Sequence, residues 1–310
     1  MITGACGYVG RLVVAELART RRDGEVLIAA DVVTPSALTA EVEHLVVDVR
    51  DPGLPSLMVA RGHGGDPPRG HRGAGEGAEG AALAYAVDVE GTRNVLAGCV
   101  ACGARKIVIS SSGAAYGYHA DNDALLTEDS PLRGNDAFPY SRHKRLVEEL
   151  LAAHRVEHPA LGQLVFRLCS VLGAGVHTPI TALFERPVIL GLSDAATPFC
   201  FVWDEDVVAC LVAGARDDHT GIYNLAGDGV MTLREIAHAL GKRYVAVPAR
   251  ALEAGLGVLR RLGLTAYGPE QVRFLRYRPV LGSARARVAF PGRRLRTSRE
   301  VFELYRRSHG

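Results

Sequence analysis

Three glycines, at positions 4, 7 and 10, follow almost at once on Ile2 and Thr3, and the stretch "RLVVAELART" after them carries apolar residues at helical spacing. Each glycine has its own task in a turn from strand to helix. Gly4 permits the tight turn, Gly7 lets backbone amides approach an anion with no side chain between, and Gly10 lets the helix pack close to the sheet. The start of that helix offers free N–H groups and the favourable end of its dipole to a phosphate. Such a turn needs a strand in front of it, yet only three residues precede Gly4. The chain is therefore expected to have lost an N-terminal segment.

Strand and helix signals then alternate. "EVLIAAD" ends at Asp31, "HLVVDVRD" ends at Asp48, and "KIVISSSG" and "QLVFRLC" follow stretches of helical spacing, "ALAYAVDVEGTRNVLAGCV" and "YSRHKRLVEELLAAHRV". That order predicts an α/β fold, a Rossmann-type doubly wound parallel sheet covered on both faces. Beyond residue 172 the pieces become shorter and are punctuated by Pro and Gly, and Thr232 with Glu235 marks a capped helix start. The expected division is a dinucleotide-binding Rossmann domain over 1–171, to which 201–226 return, and a smaller interleaved substrate lobe over 172–200 and 227–310.

Two stretches break the pattern. Residues 59–80 are dominated by Gly, Arg, His, Pro and Glu and hold too few large apolar side chains for the buried fourth strand that a doubly wound sheet places there. Residues 282–298 are rich in arginine. Codons of a GC-rich gene read out of frame yield such residues, so 59–80, and with it 282–298, is read as shifted frame.

The apolar runs are far shorter than the ~20 residues that cross a bilayer, and no basic-then-apolar leader precedes the turn, so a cytoplasmic protein without a membrane segment is expected. Residues 241–310 hold sixteen Lys or Arg against four Asp or Glu, which leaves the first 240 net acidic. Those arginines have no interleaved aromatic platforms, which favours a solvated surface over a nucleic-acid partner. The six cysteines show one close spacing, Cys99 with Cys102 at a helix end, read as reduced packed thiols rather than a metal site.

Two constellations carry chemistry. Asp31 ends the second strand 21 positions after Gly10, placed to accept hydrogen bonds from a ribose diol and to repel a 2′-phosphate, which favours NAD over NADP. Tyr140 and Lys144 share one face of a helix, and an ammonium near a phenol favours the phenolate of a general base. By itself Tyr-x-x-x-Lys describes many surface helices. Here serines 110–112 end an intervening strand at the carboxyl edge of the sheet, where one hydroxyl can bind the oxygen whose proton Tyr140 moves.

Taken in order, "TGACGYVG", Asp31, "VDVRD", "DVEGTRNVL", "KIVISSSGAAYG", "YSRHK", "FRLCSVLGAG", "FVWDEDVV" and "GIYNLAGDG" resemble the extended short-chain dehydrogenase/reductases, in the NAD-dependent epimerase/dehydratase branch that includes UDP-galactose 4-epimerase. The resemblance covers residues 3–240. It implies a catalytic set of Ser112, Tyr140 and Lys144, with Ser111 nearby, and no metal. It implies NAD contacts from Gly4, Cys6, Gly7, Tyr8, Val9, Gly10, Asp31, Asp48, Val49, Ser110, Ser111, Tyr140, Lys144, Arg167, Cys169 and Ser170, with Asp48 and Val49 against the adenine and Arg167–Ser170 beside the nicotinamide. It also implies a homodimer paired through helices 85–102 and 140–155.

Departures narrow the chemistry. Gly113 and Ala114 stand where dehydratases of the family carry an Asp-Glu pair, which argues against elimination of water. Phe199 and Cys200 replace the arginine that often holds a substrate diphosphate, which weakens a nucleotide-sugar substrate unless the basic C-terminal lobe supplies another cation. His119 either lines the cleft or lies in a solvated loop. The expected activity is hydride transfer between nicotinamide and a secondary alcohol or ketone, of a sugar or nucleotide sugar, as an oxidoreductase or epimerase. The alternative is an impaired NAD-binding sensor or scaffold.

Overall fold

The computed structural model describes residues 1–34, 41–62, 78–263 and 268–309. The elements run β1 (Ile2–Thr3), α1 (Tyr8–Arg19), β2 (Leu27–Asp31), β3 (Val42–Val46), α2 (Leu54–Gly62), α3 (Ala78–Tyr85), a π turn (Ala86–Glu90), α4 (Gly91–Ala101) and β4 (Lys106–Ser112). After a 3₁₀ turn (Gly113–Tyr116) come α5 (Pro139–Glu157), β5 (Gly162–Leu168), β6 (Ser170–Leu172), α6 (Pro179–Glu185), β7 (Val188–Leu192), β8 (Pro198–Phe199), β9 (Phe201–Trp203), α7 (Asp204–Arg216) and β10 (Gly221–Leu225). The chain closes with β11 (Met231–Thr232), α8 (Leu233–Ala239), β12 (Arg243–Val247), α9 (Ala249–Arg261), α10 (Glu270–Arg276), α11 (Ala284–Ala289) and α12 (Ser298–His309).

β1, β2 and β3 form a parallel sheet in that order, with Ile2 opposite Ala29 and Asp31 opposite Val46. A second sheet has the order β10-β5-β4. The fold is the expected α/β type, but among the described residues no ladder joins β1 to β4. β1 has only two residues, and between α2 and α3 residues 63–77 lie outside the described residues, so the misgiving about 59–80 is answered only at its ends, which are helical. β3 also stops two residues short of Asp48. Val47 still donates to Asp31 O at 2.9 Å, and the chain then turns because Asp51 N–H bonds Asp48 O at 3.0 Å.

Contacts divide the chain into two compact units. The first comprises 1–109, 146–165 and 208–221, and the second 110–145, 166–207 and 222–310. Within the first unit α1 buries Val13 and Leu17. Arg216 of α7 donates to Thr20 O and Thr20 Oγ1, both at 2.8 Å, and to Glu25 at 3.0 Å, so one guanidinium satisfies a carbonyl left open at the end of α1.

The core of the second unit is an aromatic cluster in which Phe184, Phe199, Phe201 and Phe302 are fully buried together with Leu172, Ile189 and Ile236. Phe184 meets Phe302 edge-on at 5.8 Å between centroids, and Phe201 stacks on Phe302 at 5.9 Å. The expected cap of α8 is present: Thr232 Oγ1 accepts Glu235 N–H at 3.2 Å while Glu235 accepts Thr232 N–H at 2.8 Å.

The frame-shift reading of 282–298 is overturned. Ser283, Ala286, Phe290, Leu295 and Ser298 are all buried. Ser283 Oγ accepts Ala226 N–H at 2.7 Å, and Ser298 Oγ accepts Phe201 N–H at 3.1 Å and donates to Gly227 O at 3.0 Å. Four of the five arginines of this stretch have carboxylate partners: Arg285 with Asp129, Arg287 with Asp228, Arg294 with Glu300 and Arg296 with Asp206. Arg276 and Arg299 likewise pair with Asp194 and Glu235. Most of these acids come from the part of the chain that is net acidic, so part of the charge asymmetry of the sequence is paired within this unit. Among the described residues no helix is long and apolar enough to cross a membrane.

Phe302→Ala removes a ring from the middle of the aromatic cluster and is expected to cost about 3–5 kcal/mol, read as a lowered urea midpoint.

Candidate active site

In the first unit the glycine turn has the geometry its spacing demands. Gly4 has φ +65°, a left-handed conformation that glycine adopts without strain. A Cβ on Gly10 would lie 2.1 Å from Gly4 O, so only hydrogen fits where α1 passes the turn. Gly7 donates to Gly4 O at 3.0 Å and occupies the N-cap position of α1, with no side chain capping the helix. Asp31 Oδ2 accepts Cys6 N–H at 2.8 Å, which fastens the turn to the end of β2. Burial and the neighbouring Asp31 charge push the Cys6 thiol up.

These residues fit a dinucleotide. An uncapped helix N-terminus and a turn that no Cβ obstructs suit a pyrophosphate, and a carboxylate at Asp31 disfavours a 2′-phosphate. Asp48, expected against the adenine, is closed on Arg50: the Arg50 N–H, Nε and Nη2 all donate to its carboxylate at 2.5–2.9 Å, and the guanidinium holds the carboxyl below its usual range. Val49 is fixed by Asn94, whose Nδ2 donates to Val49 O at 2.9 Å.

The second unit holds the residues expected to move the proton. β4 ends in exposed Ser110, buried Ser111 and partly buried Ser112. Ser112 Oγ accepts Ala114 N–H at 3.1 Å, which leaves its own proton to donate elsewhere. Tyr140 is 49% exposed at the start of α5, and Lys144 Nζ lies 5.5 Å from its ring centroid. Ser141, which the sequence did not single out, joins the two pieces. Its Oγ, wholly buried, donates to Ala114 O at 2.6 Å and accepts Asn135 N–H at 3.0 Å.

The Arg167–Ser170 segment turns its side chains into this unit. Arg167 donates to Tyr116 OH at 2.9 Å and to Glu128 O at 3.1 Å, Cys169 lies against Cys200, and Ser170 Oγ accepts from Arg278 at 2.9 Å. Gly113 and Ala114 are buried, and a Cβ on Gly113 would lie 2.8 Å from Leu281 Cδ1, so an acidic pair has no room there unless Leu281 moves.

Two adjoining cavities of about 410 and 360 Å³ share Tyr118, Glu253 and Arg273. The first reaches Asn135 and Phe138, just ahead of Tyr140, and the second is lined by Arg276, Tyr277 and His119, whose Nε2 lies 2.6 Å from Arg133 O. Burial pushes the Tyr118 hydroxyl up. Beside Tyr118, Arg278 lies between two rings, 3.9 Å from the Phe199 centroid and 4.5 Å from that of Phe274. Its Nη1 is buried without a hydrogen-bond partner, and among the described residues no carboxylate pairs with it. A guanidinium therefore stands at the place where Phe199 and Cys200 seemed to leave none.

Residues 1–226 match the NAD dependent epimerase/dehydratase family. The chain belongs to this family. It is accordingly an NAD-dependent enzyme, and its cofactor is NAD. The uncharacterized protein Rv0501 of Mycobacterium tuberculosis is 25% identical over 319 residues, spanning 100% of this chain and 84% of that protein. The fold is shared with a short-chain dehydrogenase/reductase superfamily protein from Agrobacterium tumefaciens solved with bound NAD (TM-score 0.69, 22% identity, 99% of this chain and 95% of that one). It is shared also with the UDP-Glc/GlcNAc 4-epimerase of Campylobacter jejuni (TM-score 0.68, 15% identity, 99% and 97%) and with a dTDP-glucose 4,6-dehydratase of Streptomyces venezuelae (TM-score 0.69, 21% identity, 99% and 95%).

Gly10→Ala is expected to weaken NAD binding at least tenfold, or about 1.4 kcal/mol, by calorimetry. Gly255→Ala, whose added Cβ meets nothing within 4 Å, leaves the affinity unchanged.

Proposed function

We propose that this enzyme moves a hydride between NAD and a secondary alcohol or ketone of a nucleotide sugar, as an epimerase or net oxidoreductase rather than a dehydratase. The observation that carries the reading is Tyr140 at the exposed start of α5 with the Lys144 ammonium 5.5 Å from its ring. Two others support it: the uncompensated guanidinium of Arg278, which suits an anionic substrate, and Gly113–Ala114, where nothing can serve as acid and base for loss of water.

In this reading the Gly4–Gly10 turn and the start of α1 hold the pyrophosphate, and the Asp31 carboxylate, with Oδ2 committed to Cys6 N–H, presents Oδ1 to the adenosine ribose. When bound, NAD supplies the acceptor and donor of hydride. Ser112 uses the proton not needed by Ala114 to hold the reacting substrate oxygen. Tyr140 takes up or returns the hydroxyl proton, with the Lys144 ammonium 5.5 Å from its ring centroid. Arg278 neutralises the substrate phosphates in an aromatic slot, where a guanidinium stacks well. Ser110, Ser111, Arg167, Cys169 and Ser170 complete the nicotinamide surroundings, and Tyr8 and Val9 the helix start. Residues 1–171 with 201–226 serve the cofactor, and 172–200 with 227–310 the substrate. The working form is a cytoplasmic homodimer paired through α4 and α5.

Incubation with NAD and a panel of UDP- and dTDP-sugars is expected to give an epimer without lasting NADH, or an oxidised sugar with NADH in equal amount. Tyr140→Phe is expected to lower kcat by roughly 10²–10⁴-fold with NAD affinity retained. Binding of NAD by the wild-type chain with no turnover of any member of the panel would instead favour the sensor or scaffold reading.

A further inference from the structure

β6 and β9 run parallel with Ser170 opposite Phe201. Immediately before the first residue of each strand stand Cys169 and Cys200. Neighbouring strands lie about 5 Å apart, inside the roughly 4.4–6.8 Å between Cα atoms that a disulfide spans. The side chains meet as well: the two sulfurs are in hydrogen-bonding contact, and both pack on the apolar cluster of Tyr116, Leu126, Ala226 and Leu281. Both are free thiols, Cys200 buried and Cys169 partly exposed.

Cys200 is the sulfur whose surroundings favour reaction, whereas burial pushes the Cys169 thiol up. A thiolate, not a thiol, attacks oxidants, and nearby cations raise its share. The hydrogen bond from Cys169, together with the adjacent Arg278 guanidinium, lowers the Cys200 thiol. No carboxylate among the described residues competes for Arg278, whose remaining partner is the Ser170 hydroxyl. In the other close pair neither thiol is lowered as Cys200 is: burial raises the Cys99 thiol to about 11, and Cys102 Sγ is turned to Cys99 O at 3.6 Å.

We propose that Cys169 and Cys200 form a peroxide-responsive dithiol that closes to a disulfide across the ends of β6 and β9. One sulfur, as thiolate, attacks a peroxide oxygen; the O–O bond breaks, hydroxide leaves and takes up a proton, and a sulfenic acid remains. The second sulfur attacks that sulfenyl sulfur, the S–S bond forms, the S–O bond breaks, and a second water departs. Two thiols and one hydrogen peroxide thus give one disulfide and two waters, and a dithiol reductant reverses the change by exchange. In a reducing compartment such a bond is transient, as a sensor requires.

The test treats the NAD-loaded full-length protein with a small excess of hydrogen peroxide, alkylates the thiols that remain, and maps peptides by mass spectrometry with and without dithiothreitol. A Cys169–Cys200 linked peptide is expected, lighter by two hydrogens than the sum of its parts, lost on reduction and present also in Cys99→Ser. Cys200→Ser is expected to abolish the link. Full alkylation of Cys169 and Cys200 after peroxide overturns the proposal. So does a link confined to Cys99 and Cys102, or irreversible oxygen addition at either sulfur with no link in the wild-type chain.

Discussion

The hydroxyl of Ser141 is a small group on which the geometry of the proposed proton-transfer set rests. It donates to the carbonyl of Ala114, in the turn that follows β4, and accepts the amide of Asn135, in the loop that leads into α5. Asn135 in turn accepts Tyr118 N–H at 2.7 Å. Ser112 and Tyr140 are thereby referred to one another through backbone atoms rather than through flexible side chains. A wholly buried hydroxyl that lost either partner would leave an unsatisfied polar group, worth about 1–3 kcal/mol, so the arrangement resists drift. Positioning of this kind is what a hydride-transfer enzyme requires of its protein, because the cofactor brings the reactive chemistry.

A second internal network supports the same region from below. Tyr116 is fully buried, its hydroxyl donating to Asn224 Oδ1 at 2.8 Å and accepting from Arg167. Asn224 N–H donates to Glu128 at 2.8 Å. Arg167 so placed works as a strut beneath the turn rather than as an open cation. The open cation is Arg278, and its slot explains the substitution at Phe199: a ring face there favours a guanidinium arriving from a distant part of the chain.

Features governed by local chemistry were legible in the sequence. The Gly4–Gly10 turn, the ends of β2 and β4, the Thr232 cap and the Tyr140–Lys144 helix follow from steric or hydrogen-bonding demands within a few residues. What escaped notice depends on partners far along the chain. β6, β8 and β9 are two or three residues long and exist because other segments pair with them, so no periodicity announces them. Ser141 looked like any serine on a helix, and Arg278 like one arginine among many. The stretch 282–298 was misread for the same reason. Its arginines seemed excessive because their carboxylates, Asp129, Asp206 and Asp228, lie some 60 to 160 positions upstream.

The lateness of those arginines has a bearing on biosynthesis. As the chain leaves the ribosome, Asp129, Asp194, Asp206, Asp228 and Glu235 are made long before the cations that pair with them. Phe302, a centrepiece of the aromatic cluster, is made after all of them. Until the stretch that carries those arginines and Phe302 has been made, the second unit lacks partners for its carboxylates and a cover for its aromatic core, so the growing chain holds both an excess of negative charge and an uncovered greasy surface.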